Sequence, residues 1–130
     1  MRRAVWNQGW WSHADHCASP NHGPRPEGIS VDMVVLHSIS LPAGVYGGGY
    51  IHKLFNNRLD PLAHVEFEPL QGLEVSAHFL IQRDGQIVQF VSCSRRAWHA
   101  GRSAWTGRSN CNDFSIGIEL EGLEGLTFEP

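Results

Sequence analysis

Val31-Asp32-Met33-Val34-Val35-Leu36-His37 is a nearly continuous apolar run that closes on a histidine. Residues 31–36 lack the polar alternation of a half-exposed strand, so they read as a strand buried on both faces and central in a sheet. Strand ends are where α/β sheets commonly place ligands, and neutral imidazole is a frequent metal donor. His37 is therefore the first candidate for chemistry. A loop with Pro42, Gly44 and Gly47-Gly48-Gly49 follows. No Lys-Ser/Thr pair comes after these glycines, so they mark a flexible connection rather than a phosphate loop. Within residues 50–57, Ile51, Leu54 and Phe55 fall at helical spacing and predict a short helix.

Further on, residues 78–83 and 86–91 flank Asp84-Gly85, which reads as a two-residue hairpin turn with glycine at positive φ. That register sets Phe79 against Phe90 and Ile81 against Val88. In a last strand over 115–121, Ile116, Ile118 and Leu120 alternate with Gly117, Glu119 and Glu121. Glu119 then points away from the isoleucines, and Gly117 beside it leaves room above the sheet, as a substrate cleft requires. The paired glutamates do not make a glycosidase site, because neighbours two apart on one strand cannot straddle a scissile bond. Residues 1–28 read as irregular, broken by Pro20, Pro24, Pro26 and Gly28. The fold class is α/β: a mixed β-sheet flanked by a few helices, in one domain over 1–130.

The chain of 130 residues has room for one modest core, and its net charge of −3 supplies no basic face for nucleic acid. No apolar run approaches the ~18 residues that span a bilayer. Asn7, Gln8 and Gly9 interrupt any signal-peptide core after Arg2-Arg3. Three cysteines, Cys17, Cys93 and Cys111, are unpaired by spacing and read as reduced thiols of a cytoplasmic protein.

Trp98-His99-Ala100-Gly101 is the other compact candidate: an indole to stack on a sugar or peptide plane and an imidazole to hydrogen-bond beside it. The alternative is a tryptophan packed under a loop. His13, His16 and Cys17 form an H-x-x-H-C cluster without a distant partner of matching spacing, which argues against metal binding there. His78, opening the hairpin strand, is placed to support a neighbouring ligand. Ser38 and Ser40 lack the G-x-S-x-G elbow of a serine nucleophile.

Taken in order, Val34-Val35-Leu36-His37-Ser38-Ile39-Ser40-Leu41-Pro42, Ser76-Ala77-His78-Phe79-Leu80-Ile81, Arg83-Asp84-Gly85, Arg96-Ala97-Trp98-His99-Ala100-Gly101 and 111–122 resemble the AmpD-type N-acetylmuramoyl-L-alanine amidases. Gly9-Trp10, Ser19-Pro20-Asn21 and Arg25-Pro26 extend the resemblance to the irregular start. It implies a peptidoglycan-recognition, type 2 amidase-like fold in a cytoplasmic, zinc-dependent enzyme of cell-wall recycling. The bond cut would join (anhydro-)N-acetylmuramic acid to L-alanine. By position, His37 is the first zinc ligand and Glu119 the catalytic acid/base, while Trp98, His99 and Ser38 contact substrate. Ser38 stands where an asparagine is usual and has a shorter reach. Ala77 stands where related amidases carry a tyrosine. The partner implied is a small muropeptide, with no nucleic acid, no membrane and a monomeric chain. The family's other ligands and a catalytic lysine belong to a last third of the fold beyond Pro130, so 1–130 reads as an incomplete domain, inactive alone. The competing reading is a non-catalytic muropeptide-binding remnant; Glu119, for which a pure binder has no evident need, favours the enzyme.

Overall fold

The computed structural model describes residues 3, 5–123, 125, 126 and 128. Strands Trp6–Asn7 (β1) and Trp10–Trp11 (β2) form a small antiparallel ribbon, followed by Asp15–His16 (β3) and His22–Pro24 (β4). The run containing His37 becomes Met33–Ile39 (β5), and the predicted helix is Tyr50–Phe55 (α1). A 3-10 turn, Val65–Leu70, leads to Phe79–Ile81 (β6), Ile87–Gln89 (β7) and Arg95–Ala97 (β8). Ala104–Trp105 (β9), Arg108–Ser109 (β10), a second 3-10 turn at Cys111–Phe114 and Ser115–Glu121 (β11) complete the order.

The main sheet runs β3-β7-β6-β11-β5. β11 is parallel to both β5 and β6, β3 is parallel to β7, and β6 and β7 pair antiparallel. The mixed α/β sheet expected from the sequence is present. Four neighbours, Val88, Leu80, Glu119 and His37, form one row across it and so share a face. On the β6–β7 half of that face, α1 lays Ile51, Leu54 and Phe55 against Leu80, Val88 and Phe90. Six residues make too short a helix to stand alone, so its stability comes from this burial, roughly 1.5–3 kcal/mol for each large side chain. The Phe55 and Phe90 rings meet edge to face at 4.9 Å. Asn21 fastens the helix end: its Nδ2 donates to the Val75 carbonyl and to Asn57 Oδ1, both at 2.8 Å.

Three expectations are corrected. The strand of His37 is at the sheet edge rather than central, and its exposure alternates: Val34 and Leu36 are 60% and 62% exposed. A continuous apolar run does not reveal whether its second face is covered within the chain. The hairpin register is one residue off: Leu80 pairs with Val88, and Phe79 with Gln89. The loop is three residues, Arg83-Asp84-Gly85, because Gln82 N–H already bonds the Gln86 carbonyl at 2.9 Å. Gly85 at φ +86 is the left-handed residue that such a loop needs. Finally, the segment before residue 28 holds two- and three-residue strands rather than being wholly irregular.

Candidate active site

β5 and β11 lie in parallel register, with His37 opposite Glu119 and Val35 opposite Gly117. Register partners on adjacent strands project from the same face, so the imidazole and the carboxylate leave the sheet side by side. β11 is interior, and its alternation is the reverse of the usual one: Gly117, Glu119 and Glu121 are buried, while Ile116, Ile118 and Leu120 are half-buried. The two glutamates differ in what they bind. Glu121 accepts from Gly47 N–H at 2.8 Å and Arg83 N–H at 3.1 Å, which joins the glycine loop to the hairpin turn. Glu119 is 8% exposed, and its buried Oε2 has no hydrogen-bond partner among the described residues. Burial pushes its pKa up to about 7, because the charged form loses water without gaining a donor.

Over this pair lies His99. Its Nδ1 is 3.2 Å from His37 Nε2, and its Nε2 is 3.1 Å from Ser115 Oγ. The peptide N–H groups of His99 and Ala100 both donate to Asn112 Oδ1, at 3.2 and 2.9 Å. A Cβ on Gly117 would fall 2.5 Å from His99 Cγ. The room that Gly117 leaves is thus filled by an imidazole rather than left open. Burial lowers the His99 pKa to about 3, aided by the charges of His78, His37 and Arg25; burial also lowers that of His37. A pKa that low keeps the His99 ring neutral at pH 7.

His78 supports the sheet from within. It is fully buried, its Nδ1 accepts from Gly117 N–H at 3.0 Å, and its Nε2 donates to the Arg95 carbonyl at 2.8 Å. Those bonds place the proton on Nε2. Burial depresses its pKa to about 4, with the Arg25 charge in the same direction and the Arg95 carbonyl opposing. Arg25, which the sequence marked only within Arg25-Pro26 and without a role, donates to the carbonyls of Cys93, Asn112, Asp113 and Ser115, each at 3.1 Å. One guanidinium thereby joins β11 to the segment before β8. No local sequence signal marks it beyond the flanking prolines.

The other candidates fall elsewhere. Ser38 is exposed and, one residue after His37 on a strand, belongs to the opposite face. Trp98 is half-buried; its N–H donates to Ser76 Oγ at 3.1 Å, its carbonyl accepts from Ser76 N–H at 3.0 Å, and its indole lies beside Gly23. His16 Nε2 bonds the Trp11 carbonyl at 2.7 Å, and Cys17 Sγ accepts from Asn56 Nδ2 at 3.6 Å. Burial raises the Cys93 thiol to about 11, which keeps it protonated. Among the described residues no three His, Cys, Asp or Glu side chains gather as a metal site.

The model of the N-acetylmuramoyl-L-alanine amidase family matches residues 27–130. The chain belongs to that family. Within the amidases it is 49% identical over 122 residues to the 1,6-anhydro-N-acetylmuramyl-L-alanine amidase AmpD of Citrobacter freundii, covering 94% of this chain and 65% of that protein. Against AmpD of Escherichia coli strain K12 it is 50% identical over 121 residues, covering 93% and 66%. A crystal structure of a selenomethionine AmpD derivative superposes with a TM-score of 0.93 at 48% identity, over 95% of this chain and 69% of that one. The fold expected from the sequence is thus an amidase fold, and the chain spans 65% of the Citrobacter relative's length.

Proposed function

We propose that this chain carries the acid/base half of an amidase that hydrolyses the bond between (anhydro-)N-acetylmuramic acid and L-alanine in peptidoglycan fragments. The observation that carries the reading is Glu119: a buried carboxyl with one oxygen unpartnered, opposite His37 in the register. A carboxyl with a pKa near 7 is about half ionised at neutral pH, so it can take a proton from an attacking water and return it to the amide nitrogen. That transfer matters because an amine anion is a poor leaving group. Trp98 and His99 are the substrate contacts of this reading, with Ser38 as a further one; the facing of Ser38 away from His37 weighs against it.

The cofactor proposed is zinc, which would polarise the amide carbonyl and activate water. The described residues supply one ligand, His37, and do not by themselves complete a site; the reading assigns the remaining ligands to the part of the relatives' length that this chain does not span. Cell-wall recycling in the cytoplasm, on small muropeptides and as a monomer, completes the proposal. Among the described residues no helix is long and apolar enough to cross a membrane. The test is release of the L-alanine-headed peptide from an anhydromuropeptide, by mass spectrometry, using this chain and the chain extended with a relative's remaining third. Turnover by the extended chain that a chelator abolishes supports the reading. Tight muropeptide binding without cleavage by either form would establish the binding remnant instead.

A further inference from the structure

We propose that His99 is a positioning residue that holds the ring of His37, so that Nδ1 is the His37 nitrogen left free for chemistry. The geometry behind this comes from four sides. Asn112 receives two consecutive peptide N–H groups, which fixes the backbone at His99 and Ala100. Gly117 offers the imidazole a bed that any side chain would occupy. Ser115, fully buried, engages His99 Nε2 at 3.1 Å. The remaining nitrogen, Nδ1, then has His37 Nε2 at 3.2 Å.

The proton order follows. In either tautomer Nε2 of His37 is occupied by His99, so only Nδ1 can present an unshared lone pair. That requires the His37 proton on Nε2, donated to His99 Nδ1. His99 in turn carries its proton on Nε2 and donates to the Ser115 hydroxyl oxygen, which a rotatable hydroxyl can accept. One direction of donation, from His37 to His99 to Ser115, satisfies every ring nitrogen but the one required. Two successive hydrogen bonds also restrict the ring torsion of His37, a residue on a strand that, among the described residues, has a strand neighbour on one side only. Which lone pair matters rests on the amidase reading; the bond between the two histidines does not.

The experiment reads the rings of the histidine-15N-labelled chain by NMR at neutral pH, without substrate or turnover. The expected result is a His37 Nε2–H proton protected from solvent exchange, with a pyridine-type Nδ1. His99→Phe should speed exchange of that proton by roughly tenfold or more, the factor that one hydrogen bond of ordinary net strength supports. His99→Gln, whose amide oxygen can accept, should restore part of the protection. Where His99→Phe fails to fold, Ser115→Ala tests the far end of the relay and should also raise the exchange rate. A proton on His37 Nδ1, averaged His37 tautomers, or exchange unchanged in a folded His99→Phe chain would each overturn the proposal. So would weakened muropeptide binding in that variant with the His37 signals unmoved, which would make His99 a substrate contact alone. Failure of peptide release by the extended chain would count against the amidase reading and leave these ring measurements standing.

Discussion

Glu119 and His37 are register partners on adjacent parallel strands, one interior and one at the sheet edge. This relationship makes the carboxylate the residue to test first. In the extended chain Glu119→Gln removes the movable proton and keeps the volume, so turnover should fall on the order of 10²-fold or more while the fold persists. Circular dichroism and peptide release on the same preparation check both halves.

The same carboxyl leaves a signature in stability. Its pKa is raised from 4.5 to about 7 on folding, so the native state holds more protons than the unfolded one between those values. Stability from this group is therefore full below pH 4.5 and is lost as pH rises toward 7. Glu119→Gln should gain on wild type across that window, by on the order of 2 kcal/mol, and run parallel to it above pH 8. Urea titrations of the metal-free chain at half-unit pH steps measure the difference.

His78 has the opposite sign. Its pKa falls from 6.5 to about 4, so the unfolded chain binds the extra proton and stability is lost as pH drops through that interval. Thermal melts should show an acid limb between pH 6.5 and 4. His78→Asn should flatten that limb while lowering the plateau, because the Gly117 N–H and Arg95 carbonyl lose good partners.

Arg25 serves four backbone carbonyls from one planar group. Arg25→Met leaves them buried or poorly solvated and should cost about 3–5 kcal/mol in denaturant unfolding. Arg25→Lys should recover only a fraction, since an ammonium has three donors and no fork.

Leu80 and Leu36 offer a paired comparison of burial. Leu80 is 1% exposed and Leu36 is 62% exposed. Leu80→Ala should destabilise by about 2–5 kcal/mol and Leu36→Ala by less than about 0.5 kcal/mol. Equal losses would mean that the outer face of β5 is covered in solution.

What was legible in the sequence were patterns long enough to have a period. α1 showed itself through Ile51, Leu54 and Phe55, and β11 through its alternation. The hairpin was visible in Asp84-Gly85, yet its register was not, since an Asp-Gly pair closes both two- and three-residue loops. The ribbon at Trp6 and Trp11 was hidden, because two residues carry no periodicity. In the candidate site, His37 and Glu119 were singled out from the sequence, and the register sets them side by side. The seat of His99 over Gly117 was missed, although a glycine in the interior of a strand is a sign of close approach by another group. It was read as open space.

The unequal anchoring of the two site strands has a mechanical consequence. β11 is hydrogen-bonded along both flanks by β5 and β6, whereas among the described residues β5 is bonded along one. Glu119 therefore rides on a fixed jaw and His37 on a compliant one. Displacement at this pair would be taken up first by the edge strand, and Glu119 would keep its place. Amide exchange should rank the strands accordingly, with β11 slowest and β5 opening first. The spacing of the pair is set by how far β5 yields, so anything that stiffens that edge retunes the site without touching either residue.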